Sequence, residues 1–367
     1  MSMKAFFLKS KKLHIWLLAD LLALAAYFLC RGNRVWMNAL ADHVTTPFKQ
    51  TLGKLTYLTD ISVMEVLTAA FAVFCTVYVV WSIVAVIRAK DGRGQRAYRA
   101  VLGAVCIAAA CYAVFSLLWG VNFWTDDFQE RSGIYAEDVA PEDLLAVTVY
   151  FAQQLAETAE DVPRDENGVF AVPVEEILEK APTVYDPLEE QMPFLAFDDP
   201  GVKPMAFSRL MSRMGFTGFY CAYTGESNVN VDAPASLLPS TVTHELAHQR
   251  GIASEQECNF LAVLAATTSG DAAYAYSGWL KGYIHLGNAL YSISPEAYRA
   301  VRALLPESVD ADLVYHNVYW DQFRDTTVEK TATTVYDGLL KSYGEPLGVK
   351  SYGTVVDLLV AYYKDRA

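Results

Sequence analysis

The chain is 367 residues long, 53% of them hydrophobic, with a formal net charge of −13. So acidic a chain has no electrostatic footprint for nucleic acid, which excludes that class of partner. It contains no internal repeat and no low-complexity tract.

The N-terminal third reads as a membrane anchor. Leu13–Cys30 is a mostly apolar run preceded by Lys4, Lys9, Lys11 and Lys12. A secretory signal has a shorter core and a small-residue cleavage site, which Arg31-Gly-Asn-Arg34 supplies poorly. Ile61–Ile87 and Ala100–Trp119 are also long enough to cross about 30 Å of hydrocarbon. Three transmembrane helices are therefore expected, over about 13–30, 61–87 and 100–122. Residues 1–124 form the anchor in the lipid bilayer, and 125–367 form one further domain. The 88–99 loop holds Arg88, Lys90, Arg93, Arg96 and Arg99, so the positive-inside rule places it and the N-terminus in the cytoplasm. Arg31 and Arg34 pull the other way. Three spans then make this a multi-pass cell-membrane protein with an extracytoplasmic second domain.

Charge divides at the same boundary. Residues 1–123 carry 13 Lys and Arg against 5 Asp and Glu, a net of +8, which leaves −21 on residues 124–367. Four of the 6 Cys fall in the spans, where they act as small apolar residues. Cys221 and Cys258 lie beyond, and two isolated Cys do not establish a disulfide.

Beyond the anchor the pattern is mostly helical. Pro141 to about Glu160 reads as an amphipathic helix with apolar positions 144, 145, 149, 152 and 155. Val174–Lys180 reads as a short helix, Pro182–Pro204 with its five prolines as loop, and Met205–Met214 as a helix ended by Gly215. Phe216–Tyr223 and Ser227–Val231 read as two strands joined by Thr224-Gly-Glu226. In an edge strand at this place, an extended peptide could add as another strand and lie across the site that follows.

That site is His244-Glu-Leu-Ala-His248. On a helix, positions i and i+4 share a face, so His244 and His248 can offer two imidazole nitrogens to one metal ion. Glu245 sits one step round, where its carboxylate serves as a general base without being a ligand. Gly251 is a helix terminator, and Ser254 restarts a helix with Glu257 as its capping-box partner. Glu255 is left free as the third ligand, with Glu257 as the alternative. Asn259 lies one turn on, placed to hold a ligating His. Two His, one Glu and an open position make a catalytic Zn2+ site.

Further helices are expected after Gly270, over Pro295–Leu305 and Val309–Thr327, and toward the C-terminus. His285 and His316 read as packed or surface residues rather than ligands. A tetrahedral oxyanion would need a donor, for which Tyr276, His316, Tyr336 and Tyr352 are candidates.

Thr243–Gly251, Glu255–Ala262 and Tyr223–Asn230, with Trp119–Asn122, Tyr276–Gly278, Val335–Asp337 and Ser351–Leu359, resemble the bacterial domain of unknown function 3810. The resemblance covers most of the chain from about Trp119 and implies a membrane-anchored, zinc-peptidase-like protein. Tyr276 and Tyr336 lead the oxyanion candidates because they fall in family-like motifs. Phe123-Trp124 stands where the family has an aromatic-Arg pair, and Cys258 replaces a usual Ala; neither is a proposed ligand. More distantly, Glu255-x-x-x-Asn259 is similar to the Glu-x-x-x-Asp of gluzincin proteases.

The expected fold is thus mainly α: three transmembrane helices, then a zincin-like, mostly helical α+β metallopeptidase domain with a small β-hairpin or edge strand before the metal helix. The expected function is a zinc-dependent metallopeptidase acting on peptide or protein substrates. The alternative is a non-catalytic, membrane-anchored metal-binding sensor or scaffold, against which the retained Glu245 argues.

Overall fold

The computed structural model describes residues 7–198, 200–343 and 352–367. The chain is mostly helical and divides into two compact units. Unit 1 comprises Met1–Lys49, Val63–Thr125 and Ala222–Thr224; unit 2 comprises Gln50–Ser62, Asp126–Cys221 and Gly225–Ala367.

Unit 1 contains three helices long and apolar enough to cross a membrane: α1 (Lys11–Cys30), α2 (Val63–Ile87) and α3 (Arg93–Leu118). Their large apolar side chains stay exposed, as with Leu29 at 84% and Val73 at 64%. Hydrocarbon is the solvent that suits such surfaces, and this is a membrane protein. α3 starts seven residues before the apolar run because nothing in Arg93–Arg99 breaks a helix, and it closes on a 3-10 turn, Gly120–Trp124. Tyr78 Oη donates to Ala100 O at 2.7 Å and Tyr27 Oη to Gly120 O at 2.9 Å, hydrogen bonds of the kind that join helices in a membrane. The segment after α1 is helical too, through Arg34–Leu40 and Thr46–Thr56.

Unit 2 is organised around α4 (Pro141–Thr158), α5 (Leu238–Gln249), α6 (Glu255–Thr268), α7 (Ala272–Ile293), α8 (Glu307–Asp321), α9 (Thr327–Tyr343) and α10 (Tyr352–Tyr363). α4 begins with Pro141 and two acidic residues in its first turn, which suits a helix N-terminus. Its buried stripe is Leu144, Val147, Phe151, Ala152 and Leu155. This corrects the expected stripe, because Leu145 faces outward and Phe151 inward. Phe151 meets both Trp279 and Tyr363 edge-on at 4.9 Å between ring centres, which locks α4, α7 and α10 together.

A three-stranded sheet completes the unit, in the order β1 (Lys203–Pro204), β3 (Glu226–Val229), β2 (Gly218–Cys221). β1 runs parallel to β3, and β2 pairs antiparallel to it with Gly218 opposite Val229 and Cys221 opposite Glu226. The strand nearest in sequence to α5 is therefore central, and the edge position falls to β2. The sheet is shorter than the sequence pattern suggests because Ala222–Gly225 form the turn.

Candidate metal centre

Pro239 sits in the first turn of α5, where a missing N–H costs nothing. Eleven of its residues are buried, so packing rather than solvent fixes its rotation. Thr243 Oγ1 donates to Ala262 O of α6 at 3.0 Å, and Tyr185 Oη donates to Thr243 O at 2.8 Å. At the C-terminus the Arg250 guanidinium lies 3.7 Å from the Tyr185 ring centre, donates to Leu195 O and pairs with Glu189 at 2.6 Å. Gly251 then takes φ +88, a left-handed value that favours glycine, and reverses the chain into α6.

This reversal brings Glu255 back over α5. Its Oε2 is 3.3 Å from His244 Nε2 and its Oε1 is 3.4 Å from His248 Nε2. The three donor groups lie within 4.8 Å of one another. Two ligands at about 2.0–2.1 Å from a tetrahedral zinc are themselves about 3.3–3.4 Å apart, so the spacing fits the ion. The surroundings fit as well. His248 Nδ1 lies 2.9 Å from Ile252 O, to which its N–H can donate, and its Nε2 faces Glu255. Cys258 Sγ is 3.3 Å from the same nitrogen and so packs against His248 without joining the three donors, and neither Cys258 nor Cys221 is in a disulfide.

Electrostatics follow from burial and closeness. Burial opposes charge on Glu255, yet His248 and His244 outweigh it and hold the carboxyl well below its usual range. Burial likewise opposes charge on His248, but Cys258 and Glu255 beside it raise its pKa well above the ordinary imidazole value. Burial takes His244 down to about 4. Glu245 is pushed up to about 8 by burial, and its Oε2 has no hydrogen-bond partner.

Glu245 also faces β2 at close range. A Cβ at Gly218 would lie 2.4 Å from Glu245 Oε1, so only glycine fits there. Gly218→Ala is therefore expected to displace the carboxylate while His244, His248 and Glu255 stay in place. A general base misplaced by about 1 Å can cost 10²-fold, so any hydrolysis that uses Glu245 should fall by about that factor with metal content unchanged. Metal content and kcat measured on one preparation check this.

The remaining expectations divide. Tyr336 Oη donates to Glu255 Oε1, so α9 brings it to the centre. Tyr276 does not belong here. Its buried hydroxyl donates to Asp312, which also pairs with Arg164 at 2.5 Å and accepts from Phe170 N at 2.8 Å. The Tyr276 ring stacks on Phe170, making the residue part of the interior. Glu257 lies outside the converging group of His244, His248 and Glu255, and it does not cap Ser254 either. It accepts from the backbone N–H of Phe128 at 3.1 Å and of Gln129 at 3.3 Å. Asn259 makes no hydrogen bond among the described residues, and His244 Nδ1 is buried without a partner. The Tyr352 side chain lies outside the described residues.

Sequence reasoning passed over Lys281 as well as the role of its neighbours. Lys281 and His285 of α7 share a cavity of about 190 Å³ with His316 of α8 and Thr241 of α5. Burial draws Lys281 down to about 8, while Glu255 and Glu245 pull it back up.

Fold and site together define a membrane protein whose second unit gathers a His, His, Glu donor group of the metal-binding kind. The chain belongs to the family described as Protein of unknown function (DUF3810), which it matches over residues 42–360. No curated protein and no solved structure matches it.

Proposed function

We propose that this chain is a membrane-anchored, zinc-dependent peptidase. The observation that carries this reading is the convergence of His244, His248 and Glu255 beside a buried Glu245 with an unpartnered carboxylate oxygen. A sensor or scaffold would need the three ligands only, and a buried carboxylate oxygen without a partner is costly to keep without a task.

His244, His248 and Glu255 would hold the zinc, which when bound supplies Lewis acidity toward a water and a substrate carbonyl. Glu245 accepts the proton of the attacking water and passes it to the leaving amine as the peptide bond breaks. Tyr336, already aimed at the centre, is the O–H placed to donate to the developing oxyanion. β2 has no strand on its outer side among the described residues, and its Gly218 backs onto Glu245. An extended peptide pairing with β2 would lie beside that carboxylate, as in zincin-like proteases.

The full chain purified in detergent should retain one zinc and cleave members of a peptide library, with loss on chelation and recovery on adding zinc. A protein that stays metal-free after zinc reconstitution sinks the reading. The lysines before α1 and the basic 88–99 segment support an extracytoplasmic second unit. A reporter active only outside the cytoplasm should work when fused after Trp124 and fail when fused near Gly94; the reverse pattern would move the site to the cytoplasm.

A further inference from the structure

The cavity beside the metal centre has a chemistry of its own. It is walled by Thr241 on α5, Lys281 and His285 on α7, and His316 and Trp320 on α8, with Thr217 just ahead of β2. Thr241 lies three residues before His244, and Thr217 immediately before Gly218. Lys281 lies close enough to the centre for its charge to act on His244, Glu245 and Glu255. The cavity therefore adjoins the point where a scissile bond would sit.

Its lining contains a lysine and two histidines and no carboxylate. That is unexpected in a region carrying −21. Lys281 has no hydrogen bond or ion pair among the described residues. His316 Nδ1 is buried with no partner. A buried ring nitrogen without a partner is costly to keep, and the half-buried Lys281 ammonium beside it is open to an anionic ligand. Lys281 and His285 are one turn apart and present their side chains on one face of α7. Burial takes His285 down to about 3 and His316 to about 4, with Lys281 acting in the same direction, so both are neutral N–H donors at ordinary pH. Lys281 is the one Lys or Arg side chain in the lining.

We infer that this cavity binds a carboxylate of the substrate next to the scissile bond, with Lys281 as counter-charge and His285 and His316 as hydrogen-bond donors. The inference rests on the peptidase reading and narrows it to substrates with a carboxylate next to the scissile bond. The carboxylate can come from a Glu side chain or from a free C-terminus, and the same site chemistry serves both. Apolar walls from Leu238 and Ile284 suit the methylene stem of a Glu side chain, or the apolar atoms beside a C-terminal carboxylate.

The test uses the full, zinc-loaded chain and a peptide library in paired forms, Glu against Gln at each position and C-terminal acid against C-terminal amide. Cleavage is followed with the wild-type chain, and binding by calorimetry with Glu245→Gln. Hydrogen bonds to a charged group are worth enough for an acid form to be favoured over its neutral twin about 10- to 100-fold. Lys281→Met should bring that ratio to about 1 with zinc content unchanged, and Lys281→Arg should keep most of it. The paired arm that carries the preference identifies the source, side chain or C-terminus. Cleavage with no acid preference overturns the inference and leaves the peptidase reading standing. Absence of cleavage with acid-selective, Lys281-dependent binding removes the peptidase reading and keeps the carboxylate site. Neither cleavage nor acid-selective binding overturns both.

Discussion

Glu245→Gln is expected to leave zinc bound and to lower kcat by about 10²–10⁴-fold, the range for losing a positioned general base. The substitution keeps shape and volume, so the packing of α5 against β2 and α6 has no reason to change. Glu245 is not among the three converging donors, and metal content should stay at the wild-type level. The amide cannot accept a proton from water, and that single property is removed. Burial pushes the Glu245 carboxyl up to about 8, which raises its affinity for a proton. Metal analysis and single-turnover cleavage on the same preparation decide the matter. Wild-type cleavage by this variant would remove Glu245 from the chemistry. Loss of metal together with activity would make it a structural residue.

Lys203→Met is expected to destabilise the second unit by about 3–5 kcal/mol, the usual cost of removing one partner of a buried ion pair. Lys203 and Glu226 side chains are 4% and 0% exposed and meet at 2.7 Å. The same ammonium donates to Thr56 O at 2.8 Å and Ile61 O at 2.9 Å and lies over the Tyr57 ring. A methionine fills the space but leaves the Glu226 carboxylate in the interior without its counter-charge. At about 2–4 °C per kcal/mol for a unit of this size, Tm in detergent should drop by about 6–20 °C. Adding Glu226→Gln should recover part of the loss, because the orphaned charge goes with it. A drop below about 2 °C would show that the pair is not what holds β1 and β3 to the Gln50–Ser62 segment.

How much of this was legible in the sequence depended on the range of the information. The three apolar helices rest on hydropathy, a local property, and were readable to within a few residues except where α3 ran back through Arg93. His244 and His248 share a face by helical spacing alone, and the Gly251 reversal that returns Glu255 is a local signal too. What failed was the choice of long-range partners. Tyr276 and Lys281 lie on one helix, five residues and so about 140° apart, and periodicity does not say which side meets the metal centre. One faces Asp312 and the other the cavity. Glu257 has the spacing of a cap for Ser254, but two backbone amides from Phe128 and Gln129, far back in the chain, compete for it and win. Tyr336 was found only through motif resemblance, since nothing near it in sequence points to Glu255.

The thirteen residues Gln50–Ser62 have a practical consequence for anyone wishing to handle the second unit by itself. Tyr57 Oη donates to Gly201 O at 2.8 Å, and Ser227 N donates back to it at 3.2 Å. Ser227 Oγ in turn donates to Glu245 O at 2.9 Å. A soluble fragment cut to begin after Trp124 would thus be missing an internal piece of its own fold, linked through Ser227 by hydrogen bonds to Glu245. Such a fragment could look inert for reasons unrelated to its chemistry. Grafting 50–62 onto its N-terminus through a flexible linker, or keeping the whole chain in lipid, would give a fair starting material.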